Sequence, residues 1–450
     1  MSDIAASLGK AGHDLTMAAT VTPSLLTEVR LTSFKSYRNE TLPLDDLTLV
    51  VGRNGSGKSN ALDALWVLAR LASGEDIRDA LDGGREGPSV RGGAVGCTPF
   101  GERVFSLGCT VATESKIVTL DVTVQVEPVL QIVHERLTIG DREVLVTDAP
   151  NADSSDINAH WDGAKTSVSF RATRLLASQV LSRIPATAAG QRIHLAAAQV
   201  IAALQGVFVL DPVPNQMRAY VNERDTLLRR DAGNLSAAVG LLISNDAVRA
   251  LLVGALDELN EQRVVDLTVE RSRLGDVILA IIERVGDREF AVSARSASDG
   301  TLRFLAILTA LLQAPDATLL PVVRATDEAV GQTQMVIEEL ENGLHASQAV
   351  TLVRLIRSSL RSRRIRALAT AHSPAVLDAL DGDEHRSVIV CQRGDDGGSH
   401  LSRLVDVEGY WRIAAMGSLG RAAMADRLRD SPPVDVDAAL TFLDDLLDPS

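Results

Sequence analysis

The stretch that most constrains this chain is "VVGRNGSGKSNALDALWVLARL", residues 50 to 71. Gly52, Gly57, Lys58 and Ser59 satisfy the pattern G-x-x-x-x-G-K-[ST], and Gly55 adds a further flexible position. The apolar run "LPLDDLTLVVG" before it reads as a strand ending at Gly52. After the loop, "SNALDALWVLARLAS" sets Leu62, Leu65, Trp66, Leu68 and Ala69 at helical spacing. Strand, glycine-rich loop and helix in that order make a phosphate cradle. Backbone N–H groups from Arg53 through Asn54, Gly55 and Ser56 to Ser59, with Asn60 opening the helix, can bind phosphate oxygens, reinforced by the positive helix end. Lys58 can reach the β- and γ-phosphates and the Ser59 hydroxyl can hold Mg²⁺. Nucleotide binding is therefore expected.

Composition sets outer limits on what surrounds the cradle. With 450 residues, 46% of them hydrophobic and 23% charged, the chain can bury a core and has material for two or three domains. Cys97, Cys109 and Cys391 form no CxxC pair and lie near no His cluster, so neither a disulfide framework nor a zinc site is indicated. A reducing cytoplasm fits that usage. No stretch approaches the ~18 uninterrupted apolar residues of a membrane span, and a soluble protein away from membranes is expected. Residues 1–24 lack a signal-peptide core and are expected to form a flexible leader. A net charge of −14 argues against a polyanion-coating protein but not against a local basic groove. Such a groove has one candidate, the segment holding Arg361, Arg363 and Arg364, which a solvated helix face explains better.

Along the chain, residues 25–140 combine the cradle with a run of strands ("RVFSLGCTVAT", "SKIVTLDVTVQVEPVLQIVHERLTI") that reads as an antiparallel layer. Residues 141–262 read as a mainly α-helical insertion, carried by "RATRLLASQVLSRI", "HLAAAQVIAAL" and "DAVRALLVGALDELNEQ". Strands return in 263–410 and then alternate with helices, an α/β succession. Residues 411–450 form a tail with little pattern.

Hydrolysis needs a carboxylate on the metal side and another to activate water, normally at the end of a buried strand. "QMVIEELENGLH" supplies them: Met335 to Ile337, then Glu338, Glu339 and Glu341. A helix start with acidic residues near its positive dipole is the competing explanation. Asp327 and Glu328 also follow apolar residues, but Arg324 and Thr326 interrupt that run. Downstream, "ATAHSPAVL" puts His372 between a short strand and a helix, where it can sense a γ-phosphate. Upstream, Ser298, Asp299 and Gly300 precede a helix whose free N–H groups can bind phosphate, although Ser-Asp-Gly is also an ordinary cap and turn.

In this order the motifs resemble the ABC-type P-loop ATPases of the SMC, RecF and OLD kind, in particular the RecF-like AAA family ATPases of bacteria. The matching pieces run from residue 27 to 377: "LTSFKSYRNETLPLDDLTLVVGRNGSGKSNALDAL", "LDPVPNQMRAYV", "LLRRDAGNLSAAVGLL", "SASDGTLRFLAIL", "VIEELENGLHASQ" and "ATAHSPAVL". The resemblance implies an α/β head with a mixed sheet core, an antiparallel β layer and the helical insertion. It also implies ATP and Mg²⁺ as ligands and a head-to-head homodimer. Lys58 and Ser59 of one copy and Ser298 and Gly300 of the other then enclose each ATP. Glu338 takes the metal-side role, Glu339 that of catalytic base, and His372 that of switch histidine. Leu340 and Ala346 stand where the family has proline, and Gln125, Gln131 and Gln179 all compete as the Q-loop glutamine.

Long coiled-coil arms are not expected, since the 140–285 region is too short and shows no sustained heptads. Neither is a TOPRIM nuclease expected: Glu408, Asp435 and Asp437 lie among too few residues after Gly409 to build one. Two roles stay open. One is an ATPase that clamps DNA or a related trigger and controls a separately encoded nuclease or toxin in DNA maintenance or anti-phage defence. The other is a slow-turnover scaffold that sequesters a protein partner without nucleic acid.

Overall fold

The computed structural model describes residues 24–84, 88–150, 155–313, 331–363, 365–408 and 410, with the side chains of 361–363 outside the description. Most of the strands belong to one 14-stranded sheet. Its N-terminal members are β1 (Leu25–Phe34), β2 (Tyr37–Pro43) and β3 (Leu47–Val51), after which the loop of residues 52–57 leads into helix α1 (Lys58–Leu71). Six more strands follow: β4 (Val104–Ala112), β5 (Ile117–Gln125), β6 (Gln131–Ile139), β7 (Arg142–Thr147), β8 (Asp156–Trp161) and β9 (Val168–Arg171). Helix α2 (Ala188–Gln205) then leads to β10 (Val207–Leu210).

A smaller sheet is built on β13 (Asp276–Val285), paired with β11 (Val221–Asn222), β12 (Arg263–Arg271) and β14 (Arg288–Ser293). Helices α3 (Leu235–Leu242) and α4 (Asp246–Leu259) lie between β11 and β12 in sequence. The chain closes with α5 (Asp299–Gln313), β15 (Gln334–Ile337), α6 (Ala346–Arg363), β16 (Arg366–Ala371), β17 (Val388–Arg393) and β18 (Ser399–Arg403).

The large sheet has two characters. In the order β10-β15-β16-β3-β17 the strands are parallel, and their residues are buried almost without interruption, as expected where helices cover both faces. Alternate residues serve two cores: Leu49, Val51, Met335 and Ile337 face one with α5 and α6, whereas Val50, Val336 and Leu368 face the other with α1. From β4 to β9 the strands form an antiparallel meander, and β5 shows the alternation of a sheet with one buried face.

Over residues 141–262, where the sequence predicts a mainly helical insertion, β7, β8 and β9 extend the meander and helical turns begin only at Leu176. The short segments "DINAHW" and "VSFR" do alternate polar and apolar residues, but over only six and four residues they are outweighed by the helical runs that follow. More consequential is β10: its "VFVL" follows α2 directly and reads as helix continuation, yet it pairs in parallel with β15. Among the described residues, no helix is long and apolar enough to cross a membrane.

Candidate nucleotide site

Parallel strands bring the loops after them to a single edge, and the register fixes which residues meet there. Val51 pairs with Ala371, Ala369 with Ile337, and Ile337 with Leu210. Gly52 and His372 therefore follow side by side, and Glu338 follows beside Asp211 and Thr370, two residues before His372.

The cradle is held from behind. Tyr37 donates its hydroxyl to the Gly57 carbonyl (3.0 Å), and Ser399 on β18 donates to the Ser56 carbonyl (2.5 Å). Asn60 donates to the Ser36 hydroxyl at 2.9 Å. Gly57 has a φ of +119°, and a Cβ there would collide with the Ser399 hydroxyl, so only glycine fits. It is also the N-cap of α1 and supplies no side-chain cap, which leaves the helix N–H groups for a ligand. The Ser56 hydroxyl is buried without a hydrogen-bond partner, whereas Arg53, Asn54 and Gly55 are exposed. Lys58, buried, folds back to donate to the Gly52 and Arg53 carbonyls, both at 2.8 Å. Burial pushes its ammonium below the usual lysine range, while Cys391, Glu339, Glu341 and Glu338 pull it up.

Glu338 leaves β15 beside the cradle. Burial raises its pKa, but hydrogen bonds from Arg91 and the Ser59 hydroxyl, with the charge of Arg230, outweigh burial and hold it below the usual carboxylate range. Arg91 forks onto both carboxylate oxygens, at 3.2 and 2.6 Å. Ser59 and Glu338 thus meet, as an oxygen-only pair of the kind hard cations prefer. Among the described residues, no group of three or more His, Cys, Asp or Glu side chains is set to hold a metal alone. Mg²⁺ ordinarily takes one or two protein oxygens and completes its shell with phosphate and water, so this pair fits it.

Glu339 adopts φ of +50°, a costly conformation for a residue with a side chain. Its N–H donates to the Thr370 hydroxyl (2.8 Å), Asn342 donates to its carboxylate (2.8 Å), and His372 Nε2 lies 3.8 Å from that carboxylate. Glu341 accepts the backbone N–H groups of His372 and Ser373, tying the loop after β15 to the loop after β16.

Ser298, Asp299 and Gly300 stand at the start of α5. The Ser298 hydroxyl accepts the Thr301 N–H (3.0 Å), and Arg218 donates to Asp299 (2.7 Å). Ser298 and Asp299 are exposed. Gly300 packs so closely on the Gly343 carbonyl that a Cβ would overlap it, which joins the start of α5 to the turn after Glu341.

Of the remaining candidates, Asp327, Glu328, Arg364, Asp435 and Asp437 lie outside the described residues, as do the side chains of Arg361 and Arg363. Gln125 and Gln131 end and begin strands of the meander, and Gln179 donates to the backbone carbonyls of Arg171, Arg174 and Leu175. Sequence reasoning misses Arg91, Arg230 and Asp211. Arg230 stacks over Trp66 at 4.8 Å and lies 4.0 Å from Asp211. The one available signal is the apolar "VFVL" before Asp211; Arg91 sits in a Gly-rich loop with none.

Fold and edge together define a P-loop nucleotide-binding protein of the α/β class. A family model described as "AAA ATPase domain" matches residues 25–121, and one described as "AAA domain, putative AbiEii toxin, Type IV TA system" matches 208–378. The DNA replication and repair protein RecF of Acidothermus cellulolyticus is 35% identical over 100 residues, a match spanning 22% of this chain and 23% of RecF. An SMC head bound to the C-winged helix domain of ScpA aligns at 14% identity and a TM-score of 0.46, over 84% of this chain and 97% of that one. The Smc head with an extended coiled coil from Pyrococcus furiosus, bound to the C-terminal domain of ScpA, aligns at 12% identity and 0.44, over 87% and 99%. By motif order and the two family models the chain is similar to AAA-type P-loop ATPases, with a RecF-like stretch of 100 residues.

Proposed function

We propose that the chain is an ATP-driven dimeric switch, in which the cradle of one copy and Ser298, Asp299 and Gly300 of another close over each ATP and hydrolysis releases them. The observation that carries this reading is a division. Lys58, Glu338, Glu339 and His372 converge on one strand edge, while Ser298 and Asp299 stand exposed at the start of α5, whose Gly300 packs on the turn after Glu341.

On ATP binding, Lys58 exchanges the Gly52 and Arg53 carbonyls for β- and γ-phosphate oxygens, and the uncapped N–H groups of α1 take the remaining charge. Ser59 and Glu338 would hold Mg²⁺, which when bound neutralises charge on the transferring phosphoryl group. Glu339, aimed by Asn342 and Thr370, accepts the proton of the attacking water. His372, positioned through its own N–H on Glu341, reads the γ-phosphate. The Gly300–Gly343 contact carries a change at Glu341 to the start of α5.

The cargo is proposed to be a separately encoded nuclease or toxin, with Arg361, Arg363 and Arg364 as DNA contacts. The family description naming a toxin and the RecF match support this direction.

Glu339→Gln tests the switch. With Mg²⁺-ATP it should bind nucleotide, sediment as a dimer and lose about 10²–10⁴-fold in turnover. Nucleotide-bound protein that stays monomeric overturns the reading, and Glu328→Gln blocking turnover where Glu339→Gln does not would move the base. Dimerisation of the wild type without measurable turnover selects the scaffold instead.

A further inference from the structure

Resting on that reading of the site, we propose that Arg91 is a tethered counter-cation: in the nucleotide-free protein it occupies the metal seat beside Ser59 and Glu338, and Mg²⁺ enters with nucleotide by displacing it.

The fork is complete. Arg91 donates to Oε1 of Glu338 at 3.2 Å and to Oε2 at 2.6 Å, while its Nε lies 3.7 Å from Asp63. The Ser59 hydroxyl engages the same carboxylate. Both oxygens of Glu338 are thereby satisfied by the chain itself, and a divalent ion that takes either one must break the fork.

Charge explains why a cation is needed there. Asp63, Asp211 and Glu338 converge on this corner, with Glu339 next in sequence. Lys35 pairs with Asp63 at 2.8 Å, and Arg230 is fixed over Trp66 and faces Asp211. Arg91 is the cation that forms an ion pair with Glu338 at contact distance, while Arg230 acts on it from farther off.

The arginine is also built to leave. Its backbone carbonyl is pinned by Lys35 Nζ at 3.0 Å, while its side chain is 49% exposed against 20% for Glu338. The guanidinium can thus swing into water without moving its loop. Arg230, by contrast, is mostly buried, and its stack on Trp66 keeps one positive charge in place after Arg91 departs.

Competition follows from this arrangement. A site whose open form is only partly populated binds more weakly by that fraction, so removing the latch raises apparent metal affinity. The experiment titrates Mg²⁺ at fixed concentration of a fluorescent ATP analogue, reading bound nucleotide rather than turnover. Arg91→Met should lower the half-saturating Mg²⁺ concentration about tenfold, and Arg91→Lys, which cannot fork, should fall between. In a Glu338→Gln background Arg91→Met should add nothing, because the competing carboxylate is gone. An unchanged half-saturation in Arg91→Met overturns the latch, and a raised one does so in favour of Arg91 as a phosphate ligand. If the wild type binds no analogue at any Mg²⁺ concentration, the nucleotide-site reading falls and the latch with it; binding with unshifted Mg²⁺ dependence removes the latch alone.

Discussion

Glu338 at the end of β15 and Glu135 in the middle of β6 are both carboxylates drawn out of water, and their surroundings treat the charge in opposite ways. Glu135 is fully buried and accepts the backbone N–H groups of Leu176 and Ala177, each at 2.7 Å. Burial nevertheless pushes its pKa up to about 8. Glu338 keeps a fifth of its side chain exposed and is held below the usual range by arginines and a hydroxyl that can move away. Permanent backbone partners staple the meander to the turn at Leu176, while exchangeable side-chain partners hold a place for a ligand. Burial of a charge therefore marks function only where its partners can be replaced.

Lys58 offers the sharpest break between the two regions. It is buried, yet its partners are loop carbonyls that phosphate oxygens can replace. Lys58→Ala should weaken nucleotide binding by more than about a hundredfold, the loss expected for truncating a buried charge at an interface. Calorimetric titration with ATP reads the affinity, and an unchanged circular dichroism spectrum shows that the fold survives. Retained affinity would mean that the cradle is not the nucleotide site.

The opposite pattern is expected at Glu135. Glu135→Ala leaves two buried N–H groups without acceptors and should cost about 1–3 kcal/mol in denaturant unfolding of the protein, with nucleotide affinity unchanged. Its titration carries a second signature. The folded pKa of about 8 lies above the ordinary 4.5, so the native state holds a proton that the unfolded state has released between those values. The contribution to stability is thus fully present below about 4.5 and is lost as pH rises through about 8. The melting temperature of the wild type relative to Glu135→Gln should fall across that window. A flat difference would place the Glu135 proton release outside it.

What the sequence makes legible follows the range of the interactions. The cradle announces itself because strand, glycine loop and helix are contiguous, and Glu338 and Glu339 stand out after one short apolar strand and His372 after another. That these loops share one edge depends on the order β10-β15-β16-β3-β17, which no local pattern encodes. Arg91 reaches Glu338 across 247 positions, and Ser399 reaches Ser56 across 343. Asp211 was hidden for another reason: four apolar residues after a long helix look the same whether they continue the helix or start a strand. Of the meander past residue 141, β7 reads as a strand, whereas the alternation in β8 and β9 runs over too few residues to outweigh the helical segments that follow.

Ser399 gives the smallest of these effects and the finest test of how the cradle is supported. Its hydroxyl donates to the Ser56 carbonyl and also meets the Ser36 hydroxyl at 2.8 Å, linking the last strand of the sheet to the phosphate loop. Both geometries cannot use the same proton, so Ser36 donates in return to Ser399 when the latter donates to Ser56. Ser399→Ala removes the link without filling the space beside Gly57, and a net hydrogen bond of this kind is worth about 1 kcal/mol. Because that support acts on the loop in both bound and free states, most of the loss should appear as a lower melting temperature. ATP affinity should fall only severalfold, by whatever part of the support tightens when phosphate binds. Ser399→Thr adds a methyl group where Gly57 already crowds the hydroxyl, and it should cost more than alanine. If alanine proves the worse of the two, the hydroxyl link rather than the space around it governs the loop.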